Sequence, residues 1–317
     1  MSTVEGAVVK NKKMRMPIGR KLKGIKRDWR LYTFLILPIL YYIIFKYIPM
    51  IGNVIAFRKY VPGGSVLGVK FVGLRYFKQF MGDPKFWEVF RNTLVLSVSY
   101  LLVRFPITII FAIMLNEIKN MKWKKFVQTV SYLPHFISMV ILAGMIKEIV
   151  SLTGPLNALV TACGGQAQSW IANANAFPTI YVVSGVWQGL GWGAILYLAA
   201  MTNINSELYE AAKIDGANRF QQIINVLIPG ILPTIVTLLI LDIGGIMGVN
   251  FEKVLLLYNP VIYSTADVIG TYVYRMGINS ANFSYATAVG LFEGIIGLIL
   301  VTSANAISKK LTDNSLW

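Results

Sequence analysis

The sequence predicts an all-α polytopic membrane protein with six transmembrane helices, and three observations predict it. Of 317 residues, 56% are hydrophobic and only 14% charged; a soluble domain carries about a quarter, so lipid is the expected solvent. Apolar runs of about 20 residues or more, enough to cross the hydrocarbon as a helix, recur six times. Lys and Arg give a net charge of +16. They gather in short segments between the runs and not as a stripe along them, which marks topology determinants and argues against a nucleic-acid partner.

The runs fall at roughly 31–57, 92–115, 126–149, 177–201, 231–257 and 285–307. Residues 1–30 precede the first and hold ten Lys or Arg against Glu5 and Asp28. No small-residue cleavage site follows closely, so the run reads as a retained span behind a basic cytoplasmic tail, not as a cleaved leader. Solvation, or attraction to anionic lipid headgroups, accounts for the tail. The third and fifth runs are the least apolar, with Lys147, Glu148, Asp242, Glu252 and Lys253 in or near them. Orientation follows from Lys plus Arg in the connections. The tail, the 116–125 turn, the 202–230 hinge and residues 308–317 hold eighteen; the segments 50–91, 151–176 and 258–284 hold eight. The positive-inside rule places both termini and the hinge in the cytoplasm. The 50–91 segment, with seven bases and two acids, runs mildly against the rule, as long loops do. The uncharged 151–176 segment suits a short amphipathic piece on the outer surface. A single cysteine, Cys163, excludes an internal disulfide framework.

The hinge is polar amid apolar sequence: "YEAAKIDGANRFQQIINVLIPGILP", Tyr209 to Pro233. Ser206 is placed to cap a helix, with Glu207 and Glu210 in its first turns. Gly216 sits where a left-handed residue ends a helix, and a second helix can start at Asn218. Phe220, Ile223, Ile224 and Leu227 then form one apolar stripe, and Pro229 and Pro233 break and restart the chain into the fifth run. The expected shape is helix, glycine corner, helix. The first arm presents alanines that allow close approach of another protein; a plain interfacial loop would satisfy the same composition.

The string Glu210-Ala211-Ala212, Asp215-Gly216-Ala217, followed by Val226-Leu227-Ile228-Pro229, resembles the EAA signature of binding-protein-dependent ABC importer permeases. "YLPHFIS" (132–138), "FEKVLLLYNP" (251–260) and "DVIGTYVYRMG" (267–277) are similar to permeases of the carbohydrate-uptake branch, most of all those importing alginate or pectin-derived oligosaccharides. The resemblance implies the type I importer permease fold over 31–307, with 202–230 as the loop that docks on an ATPase through Glu210, Ala211, Ala212, Asp215, Gly216 and Ala217. It also implies a second homologous permease forming a heterodimer, an extracytoplasmic sugar-binding protein, and location in the bacterial inner membrane.

The chain's own chemistry agrees. No GxxxxGK[ST] string is present to cradle ATP phosphates, so ATP and Mg would belong to the partner ATPase and no cofactor is expected here. Nothing resembles a zinc-ligand cluster, a nucleophile elbow or a paired-carboxylate site, so no catalytic or metal residue is nominated. His135, beside Pro134, reads as a packed polar residue near a kink. A proton-coupled secondary transporter calls for an internal repeat, and a polytopic glycosyltransferase for a carboxylate-rich loop; neither is visible.

Inside the runs stand Lys46, Arg104, Lys147, Glu148, Asp242, Glu252, Lys253 and Glu293, four of each sign, a balance that lends no support to an acidic substrate. Such groups face a cavity or pair with one another. In the fourth run, Tyr181, Ser184, Gln188 and Trp192 share a helical face with Gly185, offering a flat platform and hydrogen-bonding groups suited to a sugar ring. In the fifth, Asp242, Gly245, Val249 and Lys253 share a face, with Asn250 nearby. These faces are the candidate substrate path; helix packing on small residues accounts for the same pattern.

Overall fold

The computed structural model describes residues 27 and 29–312. The basic tail up to residue 26 and the last five residues of the C-terminal tail lie outside the described residues. The chain divides into two units, Met1–Val54 and Ile55–Trp317. In the first, the helix Trp29–Tyr42 continues through a π-turn, Ile43–Tyr47, into Ile48–Ile51. Its large apolar side chains are exposed, Phe34 by 79% and Leu37 by 75%, as befits a segment solvated by lipid.

In the second unit the spans are Pro84–Glu117, the pair Met121–Phe136 and Met139–Ile149, Phe177–Thr202, Arg219–Gly244 and Phe283–Lys310. They follow the predicted runs with two corrections. The third is not a straight rod: its halves meet at 100°, because Ile137 is extended (ψ 130°) and Ser138 starts a new helix by accepting from the Ile141 amide. The fifth run does not continue to 257. Its helix ends at Gly244, and the Gly245 amide turns back on Leu241 and Asp242. Three glycines in five residues make helix costly there, by about 1 kcal/mol each relative to Ala. A separate short helix, Phe251–Leu257, starts at Asn250, whose side chain accepts from the Lys253 amide at 3.0 Å. A two-stranded hairpin, Arg58–Lys59 with Lys70–Phe71, adds to the all-α expectation.

The fourth span packs along the second, and the fifth lies against the fourth and sixth. Gly244 brings the fifth close to the sixth, since a Cβ there would press on Val301 at 3.2 Å. Gly191 does the same for the fourth span and the third: a Cβ would run into the Ser131 backbone. Because backbone cannot step aside as a flexible side chain can, Gly191→Ala is expected to destabilise the bundle by about 1–3 kcal/mol. Gly290→Ala is the control, having no atom within 4 Å of the added methyl. Thermal midpoints in detergent compare the two; equal midpoints would show that the approach at Gly191 is not tight.

Among the described residues, three apolar clusters fill the interior. One gathers Leu96, Leu142, Phe177, Val254 and Leu257; another Phe80, Phe86, Ile269 and Tyr285; the third Ala112, Tyr197, Leu227 and Ile231. The segment between the fifth and sixth spans is held by a charge network. Asp267 is fully buried. It accepts from Arg275 at 2.6 and 3.3 Å and from Thr271 at 2.8 Å, with Lys85 at 3.8 Å. Burial alone would lower the Arg275 pKa, but the hydrogen bond and charge of Asp267 leave it raised. Asn92 donates to the carbonyls of Asp267 and Tyr263, tying the second span to this segment.

Candidate substrate cavity and coupling corner

The corner is built as its residues dictate, with the first cap one position earlier than expected. Asn205, not Ser206, caps Ser206–Ile214: its carboxamide oxygen lies 3.1 Å from the Glu207 amide, so Ser206 becomes the first helical residue. Gly216 is left-handed at φ +79°. The Ala217 amide donates to Ala212 at 2.8 Å and the Gly216 amide to Lys213 at 3.0 Å, the paired bonds of a Schellman end. Asn218 and Gln221 form a capping box. Glu210, Ala211, Asp215 and Gly216 are exposed and Ala212 and Ala217 half-buried; Ile214 stands 86% exposed.

Past the corner the structure departs from expectation. The second arm and the fifth span are one helix, Arg219–Gly244. The Ile228 amide reaches back to Ile223 in a π-turn, Ile223–Leu227. The wider turn accommodates Pro229, whose ring would otherwise strike the carbonyl four residues before it. The added residue in that turn also splits the predicted stripe: Leu227 is buried, whereas Phe220 and Ile224 remain exposed.

Higher in the bundle, the break after Gly244 opens a cavity of about 250 Å³ between the second, fourth and fifth spans. The second span contributes Ser97, Tyr100 and Arg104, the fourth Tyr181, Gly185 and Gln188, the fifth Asp242, and the broken stretch Val249, Asn250 and Lys253. Tyr100 and Tyr181 meet edge to face with centroids 6.1 Å apart. The Tyr100 hydroxyl donates to the Gly185 carbonyl at 3.4 Å, and the Asn250 amide donates to the Tyr181 hydroxyl at 3.3 Å. Arg104 forms an ion pair with Asp242 and lies over the Tyr100 ring at 5.5 Å. Lys253, 2% exposed, donates from Nζ to the Tyr181 carbonyl at 2.9 Å and sits 4.7 Å over that ring. Gly185 makes room for this: an added Cβ would lie 2.8 Å from Tyr100 and 3.2 Å from Lys253 Nζ.

The structure therefore gathers Tyr181, Gln188, Asp242, Asn250 and Lys253 at one cavity. They do not share one fifth-span helix face, because the helix stops between Asp242 and Lys253. Ser184 and Trp192 are elsewhere. The Ser184 hydroxyl is spent on the Ile180 carbonyl and lines a separate apolar groove with Trp187 and Leu142. Trp192 stacks face to face on His135 with centroids 4.5 Å apart, both exposed, so His135 is not the packed interior residue expected. Tyr100, missed in the sequence, carried a signal: it stands one helical turn before Arg104, the one charged residue of the 92–115 run.

The profile of the family described as "Binding-protein-dependent transport system inner membrane component" matches residues 104–313. The chain belongs to this family. It is also 41% identical over 301 residues to the polygalacturonan/rhamnogalacturonan transport system permease protein YteP of Bacillus subtilis (strain 168), covering 94% of each chain. Protein LplB of the same strain is 41% identical over 297 residues, covering 93% of each. A chain of the bacterial alginate ABC transporter, crystallised with alginate pentasaccharide-bound periplasmic protein, superposes with a TM-score of 0.85 at 40% identity, covering 94% of this chain and all of that one. As a family member the chain is an ABC-transporter permease: a multi-pass inner-membrane transport component, not an enzyme.

Proposed function

We propose that this permease forms the translocation path of an ATP-driven importer for an oligosaccharide delivered by an extracytoplasmic binding protein. The observation that carries this reading is the cavity: tyrosine rings, a glutamine amide and an asparagine backbone amide converge where the fifth span breaks open. A polyhydroxylated ring needs that combination of flat apolar surface and hydrogen-bonding groups. The saccharide partners named for the similar permeases support it.

In this reading a second homologous permease completes the pathway, and a pair of ATPase subunits, which hold ATP and Mg, grips Glu210 to Ala217. Those residues are largely exposed and form no core of their own chain, as a docking element requires. ATP-driven closure of the ATPases moves the corner and biases the bundle between inward- and outward-open states, a shared equilibrium that substrate and nucleotide both shift. The charge count, eighteen bases against eight, supports cytoplasmic termini and a cytoplasmic corner.

The test is reconstitution in proteoliposomes of the complex captured with this chain, supplied with its binding protein, ATP and labelled tetrasaccharides. ATP-dependent accumulation of glycan is the expected outcome. Binding protein that stimulates ATPase with no glycan accumulating would overturn the reading.

A further inference from the structure

The eight ionisable groups inside the predicted runs balance in sign, but the fold does not distribute them evenly. Arg104 and Lys253 reach the cavity, and among the described residues Asp242 is the one carboxylate there. Asp242 is already committed to Arg104. Lys253 forms no ion pair among the described residues, although it is the more deeply buried cation. Glu252 beside it in the chain is exposed. Among the described residues the Lys253 ammonium has a single hydrogen-bond acceptor, the Tyr181 carbonyl, and a ring face, so a residue lining the cavity keeps donor capacity to spare. Arg104 adds a second unused donor, since its Nε is buried without a partner. A buried cation without a counter-ion is costly, and a carboxylate entering the cavity would relieve that cost.

We propose that Lys253 reads charge in the transport path. It pairs with a carboxylate of the passing glycan, so that the cavity selects uronate-bearing oligosaccharides over neutral ones. This rests on the transport reading above; acidic saccharides are what the similar transporters are named for, and the assignment made here is the residue that tells them from neutral ones. The Arg104–Asp242 pair stays internally neutral and lines the path beside it.

The experiment compares tetragalacturonate with the same tetramer reduced at its carboxyls to neutral galactose units. Binding of each to the assembled transporter without binding protein is measured by titration calorimetry, and uptake is measured with binding protein. The complex carries Lys253, Lys253→Met or Lys253→Arg. The parental complex is expected to bind the acidic tetramer at least tenfold more tightly. Lys253→Met should erase that difference by weakening only the acidic ligand, and Lys253→Arg should restore it. Removing a buried charge favours assembly of the Met variant; should it fail to assemble, Lys253→Gln gives the same comparison. Equal weakening of both glycans would assign Lys253 a purely structural role, and retained discrimination would remove it from recognition; either overturns the proposal. A parental complex that moves neither tetramer defeats the transport reading itself, whereas one that moves both without preference defeats only the charge assignment.

Discussion

Gly216→Pro is expected to lower ATP-dependent uptake by the reconstituted transporter at least tenfold while the chain still inserts and assembles. Gly216 holds φ at +79°. Proline fixes φ near −65° and has no amide hydrogen, so it cannot make the corner or donate to Lys213. The effect would come through the backbone, because a Cβ built at this position meets no atom within 4 Å beyond its chain neighbours. That gives a graded control. Gly216→Ala faces only the left-handed penalty, about 1–2 kcal/mol, and should keep most of the activity. Uptake and binding-protein-stimulated ATPase, read together, distinguish uncoupling from loss of the complex. Parental transport by the proline variant would show that the corner does not transmit force.

Arg275→Ala should be the most destabilising change in the segment between the fifth and sixth spans. It leaves the Asp267 carboxylate, wholly buried, with Thr271 and an ammonium at 3.8 Å as its remaining polar side-chain partners. Breaking a buried pair from that side costs about 3–5 kcal/mol. Asp267→Asn strands the other partner instead. The Arg275 side chain is 28% exposed and rests over the Tyr263 ring at 5.1 Å, so water and the ring share its charge and the loss should be nearer 1–2 kcal/mol. Thermal midpoints of the purified protein in one detergent rank the two. Equal or inverted losses would mean that the pair does not hold this segment.

Most of the fold was legible because lipid makes composition and periodicity unusually direct reporters. A run such as 92–115 has to be a helix, since without water only a helix or a closed barrel satisfies the backbone, and the run is too long for a barrel strand. The corner was legible because Gly216 and Asn218 act on neighbours two or three residues away. Two local readings failed for local reasons. Asn205 took the cap from Ser206 by reaching the same first turn one position earlier, and a π-turn let the helix run through Pro229. The cavity was legible only in part. Tyr181 and Gln188 follow from helical spacing, but the same spacing nominated Ser184 and Trp192, which turn to an apolar groove and to His135.

Read alone, the chain determined its solvent, the rough placing of its spans, the corner with its left-handed glycine, and the family to which it belongs. Each depends on residues close in sequence or on the bilayer acting on every residue alike. What the tertiary structure decided was the cavity. Tyr100, Tyr181 and Lys253 lie 81 and 72 positions apart, and they meet because the fifth helix stops at Gly244 and the second and fourth spans pack side by side. Whether a charge is paired or left alone is a matter of distance in space. That is why a chain balanced in the number of its intramembrane charges still leaves Lys253 without a counter-ion among the described residues at its cavity.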